Sequence, residues 1–129
     1  MPIAAGENIQ CEREFESVIN DNNLGVIQPD LAKWGGFSKT VPIARSIIAA
    51  GKRYCPHYLG GGVGLVASAH ALAAVGGDGI LEVDINPNPL RTELVGHMLT
   101  TTPGMACLGS LPGLGYEPDL TPLGNYRVL

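Results

Sequence analysis

Four side chains suited to acid–base or metal chemistry follow short apolar segments at nearly even spacing. They are Glu7, Asp30, His57 and Glu82, and successive members lie 23, 27 and 25 residues apart. An interval of this size has room for one strand, one helix and two short loops. If each residue ends a strand of one parallel sheet, all four lie at the same edge, where parallel α/β proteins hold their sites. The spacing therefore predicts one site built from four strand ends.

Two of these side chains have the chemistry of a general base and its orienting partner. Asp30 and His57 would end adjacent strands, so the carboxylate accepts a hydrogen bond from one imidazole nitrogen and the other nitrogen exchanges a proton. The competing interpretation is that Asp30 caps a helix or turn and His57 is a core imidazole bonded to backbone. His70 and His97 have no carboxylate so placed, and we expect them to be structural.

The other two are carboxylates in different surroundings. Glu7 is the kind of oxygen ligand that Mg²⁺ takes, although one carboxylate is insufficient; its alternative is a solvated residue at a strand end. Glu82 lies in the apolar run 80–83, where burial favours a neutral carboxyl that donates a hydrogen bond to developing negative charge. Alternatively, Glu82 forms an ion pair with Lys or Arg. Asp84, on the same face of the strand, is then the other candidate for this hydrogen-bonding role.

A glycine-rich loop at 60–64 precedes an Ala-rich helical segment. Free backbone N–H groups at the start of a helix bind phosphate, but no Walker-type Lys-Ser/Thr pair follows here. The loop therefore has two interpretations, a phosphate site or a tightly packed turn.

Hydrophobic periodicity indicates the elements that would position these residues. Apolar runs predict strands at 2–6, 24–29, 54–56 and 80–83, and helical spacing predicts helices at 11–19, 40–50 and 65–75. Gly51 is placed to end the second helix in a left-handed conformation, and Pro42 would fall in its first turn.

Alternating strands and helices predict an α/β fold with a parallel sheet. An open doubly wound sheet concentrates its site at one switch point. Here all four predicted strands end in a side chain suited to acid–base or metal chemistry, which favours a TIM-type barrel. A full (β/α) barrel needs about 250 residues, so we predict a partial barrel of four βα units over 1–90. Residues 91–129 form a C-terminal extension that packs on the barrel or on a capping domain. Unpaired strand edges predict self-association or a missing N-terminal half.

Composition narrows the class of partner. The chain has 129 residues, and 8 Lys+Arg against 12 Asp+Glu give a net charge of −4, which argues against nucleic acid and anionic membrane surfaces. A content of 45% hydrophobic and 16% charged residues excludes a disordered chain. The start of the sequence shows no secretory signal, and the three cysteines lack metal-type spacing. We expect a cytoplasmic protein with no nucleic-acid or membrane partner.

Several motifs together carry a family resemblance. They are PIAAGEN (2–8), IQPDLAKWGGFSKTVPIA (27–44), CPHYLGGGVGLVASAHALAA (55–74), LEVDINPNPLR (81–91) and the tail PGLGYEPDL (112–120). In order and spacing they resemble the C-terminal half of the mandelate racemase/muconate lactonizing enzyme family of the enolase superfamily.

The resemblance implies a barrel enzyme in which Mg²⁺ holds a carboxylate substrate while its α-proton is removed. Glu7 matches the third metal ligand, Asp30 and His57 match the catalytic dyad, and Glu82 resembles the residue that hydrogen-bonds a substrate carboxylate oxygen. Asp30, where the lactonizing branch has Lys, indicates the mandelate racemase-like branch. This branch implies a sugar-acid dehydratase or a racemase, and in dehydration His57 would also protonate the departing β-hydroxyl.

The resemblance also implies missing parts. The family's first two metal ligands and its capping domain lie upstream of the segment matched by Glu7, and Met1 stands just before PIAAGEN as an internal start would. We therefore expect the C-terminal portion of a Mg²⁺-dependent lyase or isomerase, inactive alone. The alternative is a non-catalytic half-barrel remnant or a subunit that needs a partner chain.

Overall fold

A three-stranded parallel sheet organises the amino-terminal part of the chain. The computed structural model describes residues 1–95, 100–102 and 104–128. The strands are adjacent in chain order and comprise β1 (Ile3–Ala5), β2 (Leu24–Ile27) and β3 (Arg53–Tyr54). The helices are α1 (Glu12–Asn20), α2 (Leu31–Trp34), α3 (Gly36–Ala49) and α4 (Gly62–Val75). The prediction of an α/β fold with a parallel sheet is confirmed, while the partial barrel stays a prediction.

The pairing of the strands continues past their ends and sets the position of the site. Gln28 N donates to the Ala5 carbonyl at 2.9 Å. Beyond β3, His57 N donates to the Pro29 carbonyl at 3.2 Å. These bonds hold the segments carrying Asp30 and His57 side by side at the carboxyl edge of the sheet.

The predicted fourth strand at 80–83 does not form. The segment runs beside the residues that follow β3 and shares with them one backbone bond, from Glu82 N to the Pro56 carbonyl at 3.4 Å. The Ile80 N–H, at 3.4 Å, donates to the thiol of Cys55 instead of to a carbonyl. Pro56 has no N–H to offer to a neighbouring strand. The prediction was wrong because a regular ladder needs donors that this edge lacks.

The main core lies between the sheet and its helices. Its buried members are Phe15, Ile27, Trp34, Ile43, Ala44, Ile47 and Tyr54. Phe15 and Trp34 meet edge to face, with ring centroids 5.0 Å apart, the geometry that aromatic quadrupoles favour. This packing anchors α1 and α2 to the strands whose ends carry the site.

Two helices begin earlier than predicted. Gly35 adopts a left-handed conformation (φ 105°) that ends α2 and allows α3 to begin at Gly36, so Pro42 lies inside α3 instead of in its first turn. Helix α4 begins at Gly62, and it packs against both α2 and α3. None of the helices among the described residues is long and apolar enough to cross a membrane.

The C-terminal segment forms several small elements. They are α5 (Pro89–Thr92), a hairpin of β4 (Thr100–Thr102) and β5 (Met105–Cys107), and a 3-10 helix (Thr121–Tyr126). Leu114 packs on a second buried cluster of Leu31, Ala67 and Ala71. The division of the chain at residue 90 stays a prediction.

Candidate active site

The imidazole of His57 lies between two carboxylates at the carboxyl edge of the sheet. Its Nδ1 is 3.1 Å from Asp30 Oδ2, and its Nε2 is 3.0 Å from Glu7 Oε2. The His57 and Asp30 side chains are buried, whereas the Glu7 side chain is 49% exposed. Three of the four predicted site residues therefore meet in one chain of polar contacts, which reaches solvent at Glu7.

The partners of His57 define what the ring can do. Carboxylate oxygens accept hydrogen bonds, so the ring donates to both neighbours when both of its nitrogens carry a proton. The Asp30 contact at Nδ1 is buried and holds the ring orientation, while the Nε2 contact faces the exposed Glu7. Nε2 is therefore the ring nitrogen on the solvent-exposed side of the site, and the Glu7 carboxylate occupies the position next to it.

Asp30 makes both of the contacts considered for it. Its Oδ1 accepts hydrogen bonds from Ala32 N at 2.9 Å and Lys33 N at 3.2 Å, which caps α2. Its Oδ2 is the oxygen that faces His57. Capping fixes the carboxylate in space, so the start of α2 orients the imidazole through Asp30.

Glu82 lies near the same edge but is bonded to a different side chain. Its Oε2 accepts a hydrogen bond from Gln28 Nε2 at 2.9 Å. No Lys or Arg among the described residues forms an ion pair with Glu82. Gln28 lies two residues before Asp30 along the same chain segment, so one strand end contacts both the dyad and Glu82.

The glycine loop is a tightly packed turn. A Cβ on Gly60 or Gly64 would lie 2.4 or 2.2 Å from atoms of the Tyr58 ring and hydroxyl, and one on Gly62 would lie 2.3 Å from Val95. Gly62 and Gly64 already belong to α4. Burial raises the pKa of Tyr58, and the Asp30 carboxylate adds to this. These contacts account for the glycines without a phosphate ligand.

Comparisons with known proteins agree with the family motifs. The profile of the enolase C-terminal domain-like family matches residues 1–121. The chain belongs to this family. A crystal structure of a mandelate racemase/muconate lactonizing enzyme from Bordetella bronchiseptica RB50 is 54% identical, with a TM-score of 0.89 over 98% of this chain and 36% of that one.

Curated relatives of this chain include a sugar-lactone cycloisomerase and a sugar-acid dehydratase. D-galactarolactone cycloisomerase from Agrobacterium fabrum is 29% identical over 99% of this chain and 36% of its own length. Arabinonate dehydratase from Saccharolobus solfataricus is 28% identical over 90% of this chain and 31% of its own length. The chain thus spans about a third of the length of the relatives it matches.

The Mg²⁺ that the family resemblance implies has an incomplete set of ligands here. Among the described residues, no group of three His, Cys, Asp or Glu side chains is placed to hold a metal ion. Glu7 offers one carboxylate, and its Oε2 faces His57. Because Mg²⁺ takes six oxygen ligands in a near-octahedral arrangement, these residues do not fit a complete site.

Three polar residues of the site were missed by the sequence analysis. Gln28 contacts Glu82, Asn8 contacts Glu7, and Lys33 lies 3.9 Å from Asp30 Oδ2. Two of them had a usable signal, because Asn8 follows Glu7 directly and Lys33 is one helical turn after Asp30. His70 was expected to be structural, and its Nε2 lies 3.3 Å from the Leu114 carbonyl. His97 lies outside the described residues.

Asp84, the alternative to Glu82, belongs to a structural cluster. Arg91 Nη1 donates to Asp84 Oδ2 at 3.3 Å, and the Asn86 backbone N–H donates to Oδ1 at 3.0 Å. The hydrogen bond from the Asn86 N–H is the largest cause of the lowered pKa of Asp84, and the charge of Arg91 lowers this pKa further. Burial acts in the opposite direction. Arg91 also donates to the Asn86 carbonyl, so this cluster holds the loop after Glu82.

We expect Asp84→Asn to destabilise the protein at neutral pH and to lose this effect in acid. Because the pKa of Asp84 is lowered in the folded state, the folded protein stabilises the ionised carboxylate more than the unfolded chain does. Its contribution is present above the ordinary value of 3.8 and is lost as pH falls through the lowered folded-state pKa. Urea unfolding between neutral and acid pH measures it, with Glu117→Gln as control. A difference that stays constant with pH would contradict the assignment.

Proposed function

We propose that this chain supplies the acid–base part of a site that removes the α-proton of a carboxylate substrate, with sugar acids as the substrate class. The observation that supports it is the imidazole of His57 held between Asp30 and Glu7. A buried Asp–His pair gives a ring of fixed orientation with one nitrogen directed outward, as proton transfer requires. The activities named for the relatives, sugar-acid dehydration and lactone cycloisomerisation, supply the substrate class.

In the proposed reaction, His57 Nε2 takes the proton from the α-carbon and the C–H electron pair enters an enediolate. For a dehydratase, that electron pair then expels the β-hydroxyl, which takes the proton from His57 and leaves as water. The resulting enol becomes a 2-oxo acid, so one water is lost in total. For a racemase, His57 keeps the proton it has taken, and a second acid on the opposite face of the enediolate, supplied by another chain segment, protonates the α-carbon. Asp30 keeps the imidazole aligned throughout and stabilises its charged form.

Glu82 is proposed to hydrogen-bond a carboxylate oxygen of the substrate. In its protonated form it would donate to the oxygen where negative charge develops. Gln28 fixes one Glu82 oxygen by donating to it, which leaves the other free to contact a substrate. His57, Asp30 and Glu82 are thus the proposed catalytic residues.

We propose that Mg²⁺ binds when further ligands join Glu7, and that this chain alone binds it weakly or not at all. Those ligands would come from a chain segment that also covers the open sheet, in a half-barrel of the (β/α) type. Among the residues that the structure describes, strand β1 pairs on one side only, with β2, and all three of its residues are exposed, including Ile3 at 57%. An exposed strand edge favours pairing with another strand. The partner is either a complementary N-terminal half or a second copy.

The experiment that tests this function grafts the chain into its 54% identical relative from Bordetella bronchiseptica, in place of the matching 36% of that protein. Exchange of the α-proton in deuterated water, followed by ¹H NMR with Mg²⁺ and a panel of aldonic and aldaric acids, measures the activity. We expect exchange by the grafted protein and none by the chain alone. Turnover by the chain alone would contradict the incomplete-site proposal.

A second candidate is a non-catalytic half-barrel remnant or subunit. The observation that favours it is the incomplete set of metal ligands among the described residues. Under this alternative, a well-folded grafted protein shows no exchange with any acid in the panel, and substitution of His57 changes nothing measurable.

A further inference from the structure

The side chain of Gln28 joins the end of strand β2 to Glu82. Its Nε2 donates to Glu82 Oε2 at 2.9 Å in a partly buried contact between residues 54 positions apart. Gln28 follows the last residue of β2, whereas Glu82 lies in the segment that does not form a fourth strand. We infer that Gln28 is a positioning residue that anchors Glu82 to the sheet and determines which of its two oxygens faces the substrate.

Gln28 is suited to this role because its own backbone is held on both sides. Its N–H donates to the Ala5 carbonyl at 2.9 Å, which continues the pairing of β1 with β2. Ile27 before it and Pro29 after it are fully buried. A residue that precedes proline is restricted to extended conformations. The Gln28 side chain therefore starts from a fixed point at the carboxyl edge of the sheet.

The segment around Glu82 has much weaker backbone contacts with the sheet. The Glu82 N–H reaches the Pro56 carbonyl at 3.4 Å, and the Ile80 N–H reaches the Cys55 thiol at the same distance. Ile80 itself is 67% exposed. Because no regular ladder holds this segment, the shorter bond from Gln28 supplies the contact that fixes the Glu82 carboxyl in space.

The amide of Gln28 also makes the two oxygens of Glu82 different. An amide N–H can only donate, so the Glu82 oxygen that it contacts must act as an acceptor. In a neutral carboxyl the proton then lies on the other oxygen, Oε1, which is left to donate to a carboxylate oxygen of the substrate. This step rests on the function proposed above for Glu82, whereas the anchoring of the segment does not.

Hydrogen exchange of backbone amides in the 129-residue chain gives the first test. Gln28→Met keeps a side chain of similar length but removes the bond to Glu82. We expect exchange at the Ile80 and Glu82 amides to rise roughly 3–10-fold, as the loss of one hydrogen bond predicts. Exchange at the Cys55 amide, which donates within the sheet, should stay unchanged. Gln10→Met is the matched control, because Gln10 is the other glutamine of the chain and is exposed.

Glu82→Met removes the same bond from its other end and gives a result even if Gln28→Met fails to fold. It should raise exchange at the Ile80 amide by a similar factor. The double variant should show no larger rise than either single variant, because both substitutions remove one contact. Unchanged exchange in both single variants, an equal rise in Gln10→Met, or additive rises in the double variant would overturn the inference.

The grafted protein tests whether this anchoring serves the reaction. The bond from Glu82 to the substrate strengthens as negative charge develops, so its loss should fall on kcat more than on KM. We expect Gln28→Met to lower kcat roughly 10–100-fold, and Glu82→Met to lower it by roughly 10²–10³-fold, as for loss of an oxyanion donor. Wild-type kcat in an active grafted protein carrying Gln28→Met would overturn the positioning role. If the graft is inactive with every acid, the proposed function fails, and hydrogen exchange still decides whether Gln28 anchors Glu82.

Discussion

His57→Asn is expected to reduce α-proton exchange by the grafted protein by roughly 10²–10⁴-fold, the usual contribution of a positioned acid or base. Asparagine can hydrogen-bond to Asp30 but cannot carry a proton from the α-carbon to a departing hydroxyl. The effect should fall on kcat, because the proton moves only during the reaction and substrate binding does not require it. Exchange in deuterated water and formation of the 2-oxo acid should decrease together.

His70→Asn is the matched control for this prediction. His70 lies on α4, and its Nε2 is near the Leu114 carbonyl instead of a carboxylate. We expect this variant to retain activity, with at most a small loss of stability from the changed contact to the C-terminal segment. If His57→Asn exchanges the α-proton as fast as the wild type, another group is the base and His57 has only a structural role.

Two substitutions of Asp30 should separate its two roles. Asp30→Asn keeps an oxygen that accepts from Ala32 N and Lys33 N, so α2 remains capped. It replaces the Oδ2 that accepts from His57 by an NH₂ group, which disturbs the ring orientation. We expect stability close to that of the wild type and a loss of activity on the order of 10⁴-fold, as for the equivalent change in a catalytic triad.

Asp30→Ala removes both roles at once. We expect a similar loss of activity together with a decrease of about 0.5–2 kcal/mol in the free energy of unfolding, the usual cost of losing an N-cap. Urea unfolding measures the cap, and α-proton exchange measures the dyad. If Asp30→Asn and Asp30→Ala lowered the free energy of unfolding equally, loss of the helix cap would not explain the destabilisation of Asp30→Ala. Full activity in Asp30→Asn would show that His57 needs no orienting carboxylate.

The sequence left two interpretations of Asp30 open, a helix cap and a hydrogen-bond partner of His57. The structure contains both contacts. A carboxylate has two oxygens, and here Oδ1 caps the helix while Oδ2 faces the imidazole. The cap therefore contributes to the dyad, because it prevents rotation of the carboxylate away from His57. The helix cap and the contact with His57 do not compete, because each uses a different oxygen of Asp30.

Local patterns in the sequence were sufficient to predict those helices and strands that depend mainly on residues close along the chain. Apolar runs placed β1 and β2, and the run at 54–56 overlaps β3 at Tyr54. Gly51 follows the second predicted helix with φ of 72°, as its position indicated. The even spacing of Glu7, Asp30 and His57 placed them at one edge of the sheet. These features depend on backbone preferences and burial periodicity, which a single sequence carries directly.

Features that depend on contacts between distant residues were decided by the tertiary structure. Glu82 bonds to Gln28, 54 residues away, instead of to a cation, and the segment around it fails to form a strand because Pro56 on its neighbour lacks an N–H. The contacts of Lys33 with Asn8 and Asp30 likewise join a short helix to the end of strand β1. Sequence spacing determines which edge a side chain reaches. Which of the several donors and acceptors at that edge become partners depends on distances of a few ångströms, which are set only when the helices pack on the sheet.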